Sequence, residues 1–342
     1  MAAVTPAMIK ELRERTSAGM SDCKNALTEA EGDIEKAVEI ILKKGIVKAA
    51  SRAGKVATEG EVSTWVSADK KKGVIVEVNC QTDFVARGDD FKKLVNDIVK
   101  VASTLAKGSD LGAQKYPGGD QTIDEVRAAA VGRIGENIVV RRWDALEATG
   151  NGIVSSYVHM GGKLAVLVSV EPPAGKADDA DFKAFVENLG MQIAAMSPLV
   201  VTKEEVSADQ IAKQKEIYHA QMKLDLDEAV ARLAELERAT DLTPEELAAE
   251  KKGANAKKGP PEAMWPKVID GKVTKWFTEV TLLGQENVWD PAAGTIDKVR
   301  TELGKKLGGD VKIHGFVRFN LGEGIEKKTE DLAAEVAKTI GA

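Results

Sequence analysis

The chain has no apolar run approaching 18 residues, so nothing in it reads as a membrane-spanning helix. Its first stretch, MAAVTPAMIKELRER, carries charge from Lys10 onward and no apolar h-region, so it does not read as a signal peptide. It contains two cysteines, Cys23 and Cys80, far apart and at no metal spacing. That leaves no disulfide framework and points to a reducing cytosol. Histidines number 3, and His159, His219 and His314 stand without Cys or carboxylate at ligand spacing, so no metal and no cofactor is expected. His219 is expected to be solvated and His314 to open a strand. A basic excess is also missing. With 48 Lys plus Arg against 54 Asp plus Glu, the net charge is −6, which argues against a protein built to coat nucleic acid. There is no G-x-x-x-x-G-K-[ST], and Gly322-Glu323-Gly324 is a lone G-x-G, so phosphate binding by the chain itself is not expected. Cys80 closes an apolar stretch with no His close in sequence, which reads as a buried small hydrophobe rather than a nucleophile. No catalytic constellation remains, and an enzyme is not expected. Aromatics make up 4% of residues, so each exposed one carries information.

What is present is an ordinary globular balance, 43% hydrophobic and 30% charged over 342 residues, with room for two or more domains. Residues 1–56 read as a small helical module and its tether. Thr5-Pro6 combines an N-cap with proline at the first helical position, and Met8, Ile9 and Leu12 follow at helical spacing. A second helix carries Cys23, Ala26, Leu27 and Ala30 and ends at Glu31-Gly32-Asp33. A third starts at Asp33, places Ile34, Ala37, Val38, Ile41 and Leu42 on one face, and is expected to stop at Gly45. Three helices of this size bury little apolar area, so the module is marginally stable alone. The small, basic stretch at 47–60 reads as a tether.

An internal repeat follows. GEVSTWV (60–66) matches GIVSSYV (152–158), and DFKKLVNDI (90–98) matches DFKAFVENL (181–189). The offsets of 92 and 91 residues agree to one position. Between the matched segments lie the apolar runs GVIVEV (73–78) and KLAVLVSV (163–170). Each copy therefore reads strand, strand, helix, two halves of a duplicated α/β core. The stretch 123–143 adds an amphipathic helix and a strand-like NIVVRRW. The second copy is interrupted from about Lys203 to Asp270 by an Ala, Glu, Lys and Leu-rich stretch. Ile211, Tyr218, Met222, Leu226, Ala229, Leu233 and Leu236 there mark a long amphipathic helix. Thr243-Pro244-Glu245-Glu246 is a capping box that starts another helix, and KKGANAKKGPP (251–261) reads as a loose exit. Strands are expected to resume at WFTEVTLL (276–283) and KIHGFVRFNL (312–321), with a helix near 295–307 between them and a last helix at 329–340.

One stretch fits a plain strand end poorly. In NCQTDFVARGDDF (79–91) a Phe follows a carboxylate where the chain leaves the strand VIVEVN (74–79). Val74, Val76 and Val78 should share one buried face. Phe84 has two readings. It is a hydrophobic staple folded onto the helix carrying Phe91, Leu94, Val95 and Ile98, with Asp83 as N-cap. Or it is an exposed aromatic finger for a partner's pocket. The matching stretch of the other copy, VEPPAGKADD (170–179), has no aromatic and no counterpart of Asp83-Phe84, which weighs toward the finger.

These segments resemble a known family. ELRERTSAGMSDCKNAL (11–27) and EVNCQTDFVAR (77–87) resemble the two signature segments of bacterial elongation factor Ts. GDIEKAVEIILKKGIVKAA (32–50), the duplicated core, the helical insertion and GFVRFNLGEGIEK (315–327) follow in that family's order. Ser17 stands where the family usually has Gly, and the inserted hairpin looks longer than in compact members. The resemblance implies an α+β fold. Its parts would be an N-terminal three-helix ubiquitin-associated-like module (1–56 with its tether), a core whose first half is 57–150 and whose second is 151–202 with 271–325, an inserted helical hairpin or coiled coil (203–270), and a C-terminal helical module (326–342). It also implies a guanine-nucleotide exchange factor whose partner is elongation factor Tu, with no nucleic acid, membrane or small-molecule substrate of its own. By motif, Thr82, Asp83, Phe84 and Val85 would enter the partner near its magnesium and phosphate site. Leu12, Arg13, Thr16, Gly19 and Met20 would dock the N-terminal module. His159, Met160 and Gly161 would contact the partner from the second core half. The rival expectation is a protein-binding scaffold with a ubiquitin-associated-like module that leaves nucleotide exchange unchanged.

Overall fold

The computed structural model describes residues 4–16, 18–240 and 242–326. It is a mixed helix and sheet protein in two compact units, Met1–Ala195 with Leu303–Ala342, and Met196–Glu302. In chain order the first unit runs α1 (Pro6–Thr16), α2 (Met20–Glu29), α3 (Ile34–Arg52), β1 (Glu59–Val66), β2 (Lys72–Cys80), α4 (Asp83–Arg87), α5 (Asp89–Ser103), α6 (Ile123–Ile134), β3 (Val139–Glu147), β4 (Ile153–His159), β5 (Leu164–Glu171) and α7 (Ala180–Met196). The second unit holds α8 (Ala208–Arg238), α9 (Pro244–Lys257) and α10 (Trp265–Val280), and the chain continues through α11 (Ile296–Leu307) to β6 (Lys312–Asn320). Ser17 and the expected helix at 329–340 lie outside the described residues.

The N-terminal helices start and stop for the expected reasons. Thr5 Oγ1 accepts the Met8 N–H at 3.3 Å ahead of Pro6, and the Asp33 carboxylate accepts the Lys36 N–H at 3.1 Å. Glu31 (φ 53°) and Gly32 (φ 89°) turn left-handed and end α2. Leu12, Cys23, Ala26, Leu27, Ala37 and Ile41 close the small core. The expected stop at Gly45 is corrected: α3 continues to Arg52, so the first part of the expected tether is helix. Gly45 serves another purpose. A Cβ there would sit 3.3 Å from the Ala128 carbonyl oxygen and the Ala129 Cα of α6, so the missing side chain lets two helix backbones approach.

The duplication is borne out in backbone detail. Two three-stranded antiparallel sheets form, ordered β1-β2-β3 and β4-β5-β6. Each middle strand shifts register against its third strand, between Glu77 and Val78 and between Ser169 and Val170, at the repeat's own offset. The expected burial of Val74, Val76 and Val78 holds. They pack with Phe91, Leu94, Val95 and Ile98 of α5 and with Ile123 and Val131 of α6. The opposite face is buried too. Ile75 joins Val62, Val154, Ala165, Leu167 and Phe319, a seam between the sheets. A strand covered on both sides needs no alternation, which is why VIVEV reads as a continuous apolar run. Glu77 lies in that covered face with no exposed surface. It is tied to Arg141 (2.9 Å), Arg142 (2.5 Å) and the Gly322 N–H (2.8 Å). Burial pushes its carboxyl up, but the Gly322 N–H and the two guanidiniums together hold it below the ordinary glutamate range. On the second sheet α7 lies close, since a Cβ at Gly190 would meet Tyr157 Cβ.

In the second unit, capping boxes open α8 (Ser207 with Gln210) and α9 (Thr243 with Glu246). Two expectations are corrected here. The loose exit at 251–261 is helical through Lys257. One interior Gly253 costs about 1 kcal/mol, and the Ala-rich run with Ala254 buried offsets it. The expected strand at 276–283 is the end of α10 and the turn after it. WFTEV has strand propensity, but Trp265, Ile269 and Val273 recur every four residues and pack on Met222 of α8, so tertiary burial wins. His219 is exposed as expected, with its ring edge-on to Trp265. Among the described residues, no helix is long and apolar enough to cross a membrane, and no group of three His, Cys, Asp or Glu side chains could hold a metal ion.

Candidate partner-binding site

The segment 82–85 is neither strand end nor first turn of α5. It forms its own short helix, α4, separated from α5 by Gly88. The N-cap is Thr82, not Asp83. The Thr82 hydroxyl oxygen accepts the Val85 N–H at 3.3 Å, and the Thr82 carbonyl accepts the Ala86 N–H at 3.2 Å. That frees Asp83 to point outward and pair with Arg87 one turn on, at 2.9 Å.

Helical spacing then sorts the side chains. Val85 and Ala86 face the core of the first half. Asp83, Phe84 and Arg87 face out, and Phe84 is 83% exposed. The staple reading therefore fails, because a side chain this exposed is not folded onto α5. An exposed Phe forfeits about 2 kcal/mol of burial in the free protein. An exposed aromatic beside an ion pair has the composition of an interface anchor.

The turn beneath α4 is held by residues that sequence reasoning did not single out. The Glu136 carboxylate accepts from both the Thr82 N–H (3.0 Å) and the Thr82 hydroxyl (2.7 Å). The Gln81 side-chain oxygen accepts the Asn137 N–H at 2.9 Å, and Asn137 Nδ2 donates to the Lys55 carbonyl at 2.8 Å. Their sequence signal is the polar Gly135-Glu136-Asn137 corner between α6 and β3, where Gly135 (φ 83°) ends the helix left-handed. Cys80 is buried, its Sγ 3.2 Å from the Thr82 carbonyl, and burial pushes its thiol up to about 12. A thiol held protonated is a poor nucleophile.

The other expected residues divide. His159, Met160 and Gly161 form the tight β4–β5 turn, with Met160 (φ 47°) and Gly161 (φ 63°) left-handed. Met160 is 74% exposed. His159 Nδ1 lies 2.9 Å from the Tyr157 hydroxyl, the two rings stacked. The turn is pinned to the free edge of β1. The Gly162 carbonyl accepts the Val62 N–H at 2.7 Å, and Lys163 Nζ meets the Glu59 carboxylate at 2.5 Å. Glu59 in turn sits opposite Cys80 in the β1–β2 register. The 82–85 and 159–161 segments, distant in sequence, thus border the same strand.

In the N-terminal module, Leu12 is fully buried and supports the fold from its core. Thr16 donates its hydroxyl to the Leu12 carbonyl at 2.7 Å and accepts the Ala18 N–H at 3.3 Å. Gly19 is the N-cap of α2 with extended backbone, and with Thr16 it lines a small recess of about 70 Å³ against Ala129 and Arg133 of α6. Arg13 and Met20 are exposed, Met20 by 62%.

Comparison with known proteins agrees with this architecture. A sequence family described as Elongation factor TS matches residues 81–323. The chain is 42% identical over 336 residues to the elongation factor Ts of a Nitratiruptor species, covering 98% of each chain. It is 42% identical over 335 residues to that of a Clostridium botulinum strain, covering 97% of this chain and 98% of the other. It is 39% identical over 340 residues to that of Nautilia profundicola, covering 99% and 100%. With likeness of that extent along nearly its whole length, the chain belongs to the elongation factor Ts family.

Proposed function

We propose that the chain is a guanine-nucleotide exchange factor: it binds elongation factor Tu carrying GDP and accelerates GDP release and GTP reloading during translation elongation in the cytoplasm. The observation that carries this reading is Phe84, 83% exposed on a short helix whose other face is anchored in the core. Membership of the family supports the choice of partner, and the exposed face of α4 supports Phe84 as the group that acts on it.

The physics is that of reciprocal coupling. A GTPase holds GDP through backbone amides, a lysine and Mg²⁺. A protein that binds the nucleotide-poor state best weakens GDP by the same factor by which GDP weakens it. Such a factor speeds release without choosing GDP over GTP. Burial of Phe84 in the partner contributes about 2 kcal/mol, within the usual range of coupling energies. Asp83, close beside it, brings a carboxylate toward the partner's cation and phosphate contacts. Met160 with His159, and Met20 with Arg13, give further exposed contacts on the same unit.

The test is release of fluorescent GDP from purified elongation factor Tu, with excess unlabelled GDP as the chase. Acceleration that grows with added protein and saturates supports exchange. Tight binding with an unchanged release rate would sink it in favour of a scaffold that binds and does not exchange.

A further inference from the structure

We infer that Glu136 is a positioning residue for nucleotide exchange: its carboxylate holds Thr82, and through Thr82 sets the direction in which α4 presents Asp83 and Phe84. This inference rests on the exchange reading above. Its starting point is that α4 spans Asp83–Arg87, five residues, too short to hold a helical shape by itself. Its inward anchors are the side chains of Val85 and Ala86. A small apolar footing allows rocking, so the direction of Phe84 must come from directional bonds.

Thr82 supplies them, and Glu136 fixes Thr82. One carboxylate oxygen accepts the Thr82 N–H at 3.0 Å, the other the Thr82 hydroxyl at 2.7 Å. A hydroxyl has one proton. With its O–H donating to Glu136, the hydroxyl oxygen keeps a lone pair for the Val85 N–H at 3.3 Å, which is the N-cap bond of α4. Hydrogen bonds to an ionised acceptor are about twice as strong as neutral ones. Glu136 is itself held by its neighbours. Gly135 closes α6 in the left-handed region, and Asn137 is buried with its N–H on Gln81 and its amide on the Lys55 carbonyl. Lys55 follows α3, which packs on α6 at Gly45. The corner 135–137 therefore joins the N-terminal module to the base of α4, and it fixes the geometry between two surfaces that must engage one partner together.

The experiment is a double-mutant cycle on GDP release with full-length protein: wild type, Glu136→Ala, Phe84→Ala and the double variant. Glu136→Gln is the second, volume-conserving variant, which keeps one acceptor oxygen of two. Expected is about a tenfold slower maximal release for Glu136→Ala and an intermediate loss for Glu136→Gln. The double variant should be slower than Phe84→Ala by clearly less than the loss Glu136→Ala causes in the wild type, because only the aiming of Asp83 is left to lose. Multiplying losses in the double variant, or wild-type release by Glu136→Ala, would overturn the inference. Amide hydrogen exchange of the free protein gives a readout independent of the partner. The Val85 and Ala86 amides should exchange about tenfold faster in Glu136→Ala, with Val76 and Val78 unchanged. Unchanged protection at Val85 and Ala86 also overturns it. If wild-type protein fails to accelerate GDP release, the exchange reading falls, and amide exchange alone then decides whether Glu136 positions α4.

Discussion

Replacing Phe84 by alanine separates binding from folding, because the side chain lies at the surface of α4. The side chain is 83% exposed, so the free protein should lose almost no stability, within about 0.5 kcal/mol. At the partner the loss is the burial of most of an aromatic side chain, about 2 kcal/mol. At 1.36 kcal/mol per decade, that corresponds to roughly a thirtyfold slower release of GDP at saturation. The assay is stopped-flow release of fluorescent GDP from elongation factor Tu across a range of factor concentrations, with melting of the free variant followed alongside. Phe84→Leu should recover part of the loss, since an apolar side chain of similar reach fills part of the same pocket. Two results would refute the reasoning. Release by Phe84→Ala near the wild-type rate would remove the finger. A melting temperature several degrees lower would show that Phe84 packs on its own fold, which is the staple reading.

Three further outcomes follow from the structure. Gly45→Leu places a side chain where a Cβ already sits 3.3 Å from the α6 backbone, so urea unfolding should show about 1–3 kcal/mol of destabilisation; unchanged stability would mean α3 does not pack there. Glu77→Gln removes a buried charge from Arg141 and Arg142 and should destabilise by about 3 kcal/mol at neutral pH. Glu77 is held below its ordinary value of 4.5 when folded, so its contribution is present above that value and lost as the pH falls through the lower folded value. The urea midpoint of the wild type should therefore drop more steeply than that of Glu77→Gln below about pH 4.5, and parallel curves would refute the pairing. Finally, both thiols are buried and Cys80 is pushed up to about 12, so neither should react with Ellman's reagent at pH 8 until the chain unfolds; prompt labelling of the native protein would contradict that.

Much of the fold was legible because it obeys local rules. Thr5-Pro6, Asp33 and the capping box at Thr243 announce helix starts through a side-chain oxygen placed before an orphan N–H. The duplication was legible because two copies must solve the same packing problem, down to a shared register shift. What misled was residues whose role is set across space. Gly45 has the identity of a helix stop, and the proximity of α6, far along the chain, makes it a contact instead. WFTEV has the composition of a strand, and the face of α8 makes it a helix. For the candidate site, the motif 82–85 was visible as an anomaly, while Glu136, which holds it, lies 54 residues away with no local signal beyond a polar corner.

The class of the protein was implied by the family resemblance; the sequence's own patterning determined the repeat, most helix starts, and an aromatic that the other half of the core does without. These follow from short-range physics: capping, periodicity and the chain's own symmetry. The tertiary structure decided which way Phe84 points, that Thr82 rather than Asp83 caps α4, and that the 82–85 and 159–161 segments flank one strand. A side chain's direction depends on which neighbours offer it burial or a hydrogen bond. Among the described residues no neighbour buries Phe84, while Glu136 bonds Thr82 at the base of the same short helix.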